Sequence, residues 1–203
     1  MRSHMLRAKR TLLYPSYVDG ATGTTSATLP THAVGDLIVA WAYRDGSTTA
    51  PSLGSGFTSI LTEASNTTTN SGRLAYRIAT VTDTASGTWT NATSVVFLIY
   101  RNAAVGVSNS ASGDAEEYTS FSTLGGMVSD GSSWVAGFAG VSTTTSTVET
   151  PPSGMALRKS VVDATDEAAG YDTNAGVASW GFQNGSLGVA SNWVSVVLEI
   201  KRA

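Results

Sequence analysis

The chain has 203 residues, 41% of them hydrophobic and only 13% charged, with a formal net charge of -3 and no cysteine. This slightly acidic balance argues against a nucleic-acid binder, which carries a basic face, and the lack of cysteine excludes disulfides and cysteine-based metal sites or nucleophiles. No stretch approaches the roughly 18 apolar residues that a membrane-spanning helix needs.

Charged residues usually make up about a quarter of a soluble domain; here Ser, Thr, Asn and Gly take their place, and β-branched Thr suits a pleated surface. Met1-Arg2-Ser3-His4-Met5 reads as a vector-derived leader outside the fold, and the dense basic run Arg7–Arg10 follows it. The first predicted strand is Leu12–Val18, before a Gly/Ser/Thr stretch at Gly20–Ser26. Leu37–Tyr43 comes next, with Leu37, Val39, Trp41 and Tyr43 on one side and Ile38, Ala40 and Ala42 on the other. A strand covered on both faces reads this way, and it ends in the turn-forming Asp45-Gly46. Phe57–Leu61 and Arg73–Thr80 are weaker strands around the loop Asn66–Gly72. Ser94–Tyr100 is again apolar on both sides. Val107–Ser120 is rich in Gly and Ser and carries Asp114, Glu116 and Glu117, so it reads as the divide between two halves. Further strands are expected at Ser122–Val128, Ser133–Ala139, Met155–Val161 and Gly176–Phe182. Asp163–Ala169 is the best helical candidate, at a single turn, and the closing strand is Trp193–Lys201.

The second half repeats the first. Asp36–Tyr43 is echoed by Ser133–Ala139, Ser55-Gly56-Phe57 by Ser153-Gly154-Met155, Ala75-Tyr76 by Gly170-Tyr171, and Ser94–Arg101 by Ser195–Arg202, each about a hundred residues on. Aligning the closing strands places Val95 on Val196, Phe97 on Leu198 and Ile99 on Ile200 as the shared interior set. Leu98 and Tyr100 then fall opposite Glu199 and Lys201, on an outer face free to vary. Each half alone has a marginal core for its size. Residues 6–203 are therefore read as one domain of two similar halves, about 11–106 and 107–203, with two independent domains as the alternative.

Little in the chain points to catalysis. His32 is the only histidine beyond the leader, in a loop after Pro30-Thr31, and no Gly-x-Ser-x-Gly elbow accompanies it. Two or three clustered imidazoles for zinc are lacking. The acids Asp163, Asp166, Glu167 and Asp172, and the second group Asp114, Glu116 and Glu117, lack the spacing of an EF-hand loop and read as solvated loop carboxylates. No spacing picks out a glycosidase pair. Trp41, Trp134, Phe97 and Phe138 lie in apolar strands and read as core. Trp89, Trp180 and Trp193 sit at strand ends or on outer faces beside Thr, Asn, Ser or Gly. Such rings stack on a sugar, or else cover sheet edges and subunit interfaces.

Three blocks, Ala33-Val34-Gly35-Asp36-Leu37-Ile38-Val39-Ala40, Pro51-Ser52-Leu53-Gly54-Ser55-Gly56-Phe57 and Arg73-Leu74-Ala75-Tyr76-Arg77, together with Pro151-Pro152-Ser153-Gly154-Met155 and the terminal Trp193–Lys201 strand, resemble a β-sandwich unit of tailed-bacteriophage virion proteins. Phe57 stands where that unit favours Trp. The resemblance implies an all-β, jelly-roll-like sandwich and a non-enzymatic structural role in the phage particle. It brings no catalytic, metal or cofactor residues. Self-association into a homo-oligomer and docking to other virion proteins are expected, with Leu98 and Tyr100 as outer-face interface residues. The alternative is a lectin-like adsorption module that binds host-surface glycan through Trp89, Trp180 and Trp193. Neither reading involves nucleic acid or membrane.

Overall fold

The structure is a computed structural model that describes residues 13–64, 69–82, 84–144 and 150–203. The leader, the basic run and the start of the first predicted strand lie outside the described residues, as does part of the predicted loop 66–72. The fold is all-β, with no helix among the described residues. Strands β1 Ser16–Gly23, β2 Leu37–Asp45, β3 Thr58–Ala64, β4 Asn70–Ile78 and β5 Ser94–Arg101 form one antiparallel sheet in the order β1-β5-β2-β4-β3. Strands β6 Ala103–Phe121, β7 Trp134–Val141, β8 Ala156–Val162, β9 Glu167–Asp172 and β10 Gln183–Arg202 form the second, in the order β6-β10-β7-β9-β8. Adding five to every strand of the first sheet generates the second.

The sheets lie face to face. β2 meets β7, β5 meets β8 and β9, β10 meets β3 and β4, β1 meets β8, and β3 meets β6. Exchanging each strand for its counterpart maps every one of these contacts onto another. Asn102 alone separates β5 from β6, so β1 and β6 start at the same end of the sandwich. A pseudo-twofold axis therefore runs along the strands, between β2 and β7. In a jelly roll each sheet takes strands from both halves of the chain. Here each sheet is one continuous stretch, and the changeover falls at Asn102 rather than near residue 107.

Three apolar layers explain strands that are apolar on both sides. Between the sheets, Leu37, Val39, Trp41, Tyr43, Val96, Leu98 and Tyr100 pack against Phe138, Val194, Val196, Leu198 and Ile200. On the outer face of the first sheet, Ile38, Ala40, Val95, Phe97 and Ile99 are roofed by Leu29, Phe57 and Trp89. The loops carrying the roof are bound together, Leu29 N–H to Thr84 O at 2.8 Å and Trp89 N–H to Thr25 O at 2.7 Å. On the second sheet, Val135, Ala139, Val141, Ala169 and Val197 lie under Phe121, Leu124, Met155, Trp180 and Leu187.

The stretch expected to divide the halves is the long edge strand β6. It turns a corner at Gly113–Ala115, where Ala115 has a φ of 55° and a Cβ on Gly113 would stand 2.6 Å from the Trp193 ring. Beyond the corner the β6/β10 ribbon doubles back over its own sheet. Ser195 Oγ donates to Ser120 O at 2.5 Å, Asn109 Nδ2 to Thr123 O at 2.9 Å and Ser122 Oγ to Ser110 O at 2.9 Å. Phe121 and Leu187 reach the outer face of the second sheet in this way. The other differences are local. β1 begins at Ser16 and continues through predicted loop to Gly23. Ser122–Val128 and Gly176–Phe182 form only the bridges Leu124 to Trp180 and Val177 to Ser133. Of the helical candidate Asp163–Ala169, residues 163–166 form a turn and the rest is already β9.

The register corrects the internal alignment by one residue. Leu37 pairs with Tyr100 and Trp41 with Val96, while Trp134 pairs with Ile200 and Phe138 with Val196. The β2 strand matches β7 as Leu37 on Trp134, so Tyr100 corresponds to Ile200, Leu98 to Leu198 and Val96 to Val196. The side-chain period of a strand is two, so the one-residue slip exchanged its faces. Val95, Phe97 and Ile99 belong to the outer layer, opposite Ser195, Val197 and Glu199. The same slip occurs in β4, where Tyr76 matches Asp172 and Ala75 matches Tyr171.

Candidate functional site

Each residue proposed from sequence as a glycan or interface group is buried. Leu98 and Tyr100 are 0% exposed, in the layer between the sheets. They present no outer surface, because pairing with Val39 and Leu37 of β2 turns both toward the second sheet. Trp89 is 0% exposed, with Phe57 edge-on at 5.0 Å and Nε1 donating to Ser86 O at 3.3 Å. Trp193 is 2% and Trp180 6% exposed. Trp193 Nε1 donates to Glu116 at 2.9 Å. A sugar needs a ring face, and these rings give theirs to loops and the folded-back ribbon. His32 is also buried, its Nδ1 donating to Pro30 O at 2.8 Å. Of the readings as core, Trp41, Phe97 and Phe138 are fully buried and Trp134 is partly so.

The acids are not all solvated loop carboxylates. Asp166, Glu167 and Asp172 are buried; the last two lie in β9, which is flanked by β7 and β8, and Asp166 immediately precedes it. Asp172 accepts Arg158 Nε at 3.0 Å and Nη2 at 2.8 Å, Tyr100 Oη at 3.2 Å and Asn174 N–H at 2.8 Å. The guanidinium lies over the Tyr17 ring, 4.4 Å from its centre. Burial, then the Asp19 charge, push the Tyr17 hydroxyl up to about 12. The same position in the first sheet carries no charge. β3 and β8 share a bulge, at Ser59/Leu61 and Leu157/Lys159, so Arg158 corresponds to Ile60 and Asp172 to Tyr76. Tyr17 and Tyr100 correspond likewise to Val105 and Ile200, and all four counterparts pack into the central core. The fold therefore does not require this ion pair. Comparing the copies in the correct register exposes it; comparing them one residue off conceals it.

A second polar group sits at the opposite end, near the axis. Ser94 Oγ donates to Asp166 Oδ1 at 2.5 Å, and Asp166 Oδ2 is buried with no hydrogen-bond partner among the described residues. Burial, together with Asp163 and Asp45, raises the Asp166 carboxyl above its ordinary range, against the hydroxyls of Ser94 and Thr93. Beside it, Asn70 Nδ2 donates to Tyr43 Oη at 3.2 Å. Two further buried acids bind the fold to itself. Asp36 takes the Arg101 guanidinium at 3.0 and 2.9 Å. Glu199 accepts Ser133 Oγ at 2.6 Å and the N–H groups of Val128 at 2.9 Å and Val107 at 3.2 Å. Among the described residues, no group of three or more acids and histidines is placed to hold a metal ion.

The surface also carries a groove. An open, mostly polar groove of about 480 Å³ lies between the loop after β2 and strand β3, lined by Thr48, Thr49, Ala50, Thr62, Glu63 and Arg73. None of these residues stood out in the sequence, where Thr and single charges are common.

Compared with protein-family models, curated proteins and solved structures, the chain matches none.

Proposed function

We propose that this protein is a non-catalytic structural component of a phage particle that works by self-association and docking to other virion proteins. The observation that carries this reading is a set of exposed apolar side chains at one end of the first sheet. Leu13 and Tyr14 precede β1, and Val34, Ile78 and Val81 flank the start of β2 and the end of β4. Gly35 N–H bonds to Ala79 O at 2.8 Å, which keeps the Val34 and Ile78 segments together. Ser16 pairs with Arg101, whose side chain binds Asp36, so Leu13 and Tyr14 belong to the same end. Exposed apolar surface of this kind marks an interaction site. The sequence resemblance to phage sandwich proteins supports the setting. The buried acids Asp36, Asp172 and Glu199 are taken up in internal bonds, which suits a scaffold.

The occupant we assign is a second copy of the chain. Light scattering across a concentration series is expected to show a defined oligomer that Val34→Glu with Ile78→Lys reduces to monomer without lowering Tm. A protein that stays monomeric at high concentration, or an oligomer unaffected by the two substitutions, would overturn the assignment.

A further inference from the structure

The groove beside β3 is built rather than incidental. Three side chains pin its loop wall to the sheet by carbonyl groups. Ser71 Oγ donates to Ser47 O at 2.8 Å, Arg44 Nη1 to Thr49 O at 3.0 Å and Arg73 Nε to Pro51 O at 2.6 Å. A wall held this way is preorganised, so a ligand does not meet the cost of ordering it. The volume falls within the roughly 300–1,000 Å³ of small-molecule sites.

The internal repeat shows that the fold does not impose this chemistry. In register, Arg44 and Arg73 correspond to Val141 and Ala169 of the second sheet. Those two lie in a dry cluster beneath Phe121 and Leu187 of the folded-back ribbon. β1, the counterpart of β6, ends at Gly23, and among the described residues it throws no ribbon back over its sheet. The first sheet thus leaves this part of its outer face open and furnishes it with polar groups.

The lining decides the class of ligand. Thr48, Thr49 and Thr62 bring hydroxyls that both donate and accept, which matches a polyhydroxylated molecule. Arg73 brings a guanidinium with five N–H donors. Among the described residues it makes two bonds, to Pro51 O and, at 3.0 Å, to Ser59 Oγ. A planar fork with remaining donors recognises a carboxylate. Glu63, the groove's acid, accepts the hydroxyls of Ser110 and Ser112 from β6. Among the described residues no aromatic ring lines the groove, so the recognition argued for is by hydrogen bonds and charge. We propose that this groove binds an acidic saccharide unit, with the sugar carboxylate on Arg73 and its hydroxyls on Thr48, Thr49 and Thr62. This site is separate from the apolar end assigned to self-association.

Titration of the full chain with sodium glucuronate, followed by amide chemical shifts, tests this directly. Saturable shifts are expected at Thr48, Thr49 and Thr62. Glucose, which lacks the charge-assisted bond worth roughly 1.5–3 kcal/mol, should bind at least about tenfold more weakly. Thr62→Trp fills the groove and Thr48→Glu repels the carboxylate. Each should weaken glucuronate at least about tenfold, by the same measure, and leave both Tm and the oligomeric state unchanged. Absence of saturable shifts at roughly 20 mM, well above the millimolar range of weak sites, would overturn the proposal. So would equal binding in the Thr48→Glu variant. Inorganic phosphate binding as tightly as glucuronate would overturn the saccharide assignment.

Discussion

Removing Arg158 tests whether the buried ion pair is a liability that its own partner creates. Asp172 is 0% exposed and accepts four hydrogen bonds, two of them from the guanidinium. Arg158→Met keeps the aliphatic stem but, among the described residues, leaves the carboxylate with only Tyr100 and the Asn174 N–H. Breaking a buried pair from one side costs about 3–5 kcal/mol. At about 4 kcal/mol and an m-value near 2 kcal/mol/M, the urea midpoint should fall by about 2 M. Tm should fall by roughly 8–16 °C in a chain of this length. Asp172→Asn alone should cost less, about 2 kcal/mol, because Arg158 is 17% exposed and can turn toward water. The double variant has no charge to strand and retains an amide for Tyr100. It should cost about 3 kcal/mol, not the 6 kcal/mol of the sum, a coupling of about 3 kcal/mol. Urea denaturation of the four proteins at pH 7 measures the cycle. Additive losses within about 0.5 kcal/mol, or a loss below about 1 kcal/mol for Arg158→Met, would refute the reasoning. The first sheet, with Ile60 and Tyr76 in these positions, is the fold's own example of the uncharged alternative.

Two other substitutions probe the axis between the sheets. The Asp166 carboxyl is raised in the folded state, so the folded protein holds a proton that the unfolded chain releases near pH 4. Its contribution is therefore complete at acidic pH and is lost as pH rises from about 4 through the folded value. Asp166→Asn introduces the residue found at the matching position, Asn70. It should raise stability at pH 7 and flatten that part of the pH profile; a variant less stable than wild type at pH 7, with the slope intact, contradicts the assignment. Gly140 lies beneath the Tyr43 ring, where a Cβ would stand 2.1 Å from Cδ2. Gly140→Ala must displace a ring held by Ser142 and Asn70, at a cost of about 1–3 kcal/mol read from the urea midpoint. A neutral outcome would mean that the ring moves freely.

The all-β class and the central strands were legible from residue pattern alone. Leu37–Tyr43 and Ser94–Tyr100 are apolar on both sides because each lies inside a sheet with a second sheet on one face and roofing loops on the other. The turn before each third strand was equally plain, since Gly56 and Gly154 need positive φ, at 80° and 82°. β6 was not legible. An edge strand is held by backbone bonds to one neighbour, and its Ala, Gly and Ser side chains leave no apolar alternation to read. The faces of β5 were also out of reach, because a strand apolar on both sides fits the repeat equally well after a one-residue slip, and only pairing with β2 removes the ambiguity. The three tryptophans read as surface groups because their sequence neighbours are polar, but their burial is supplied by segments far away in the chain. The groove is likewise a tertiary product, since its loop, Arg73 and Thr62 meet only after β3 and β4 pair. Sequence determined which segments must be covered on both faces, since apolar side chains leave water wherever they are placed. Tertiary structure decided what covers them and which face points where, because those depend on pairing between segments that carry no record of one another.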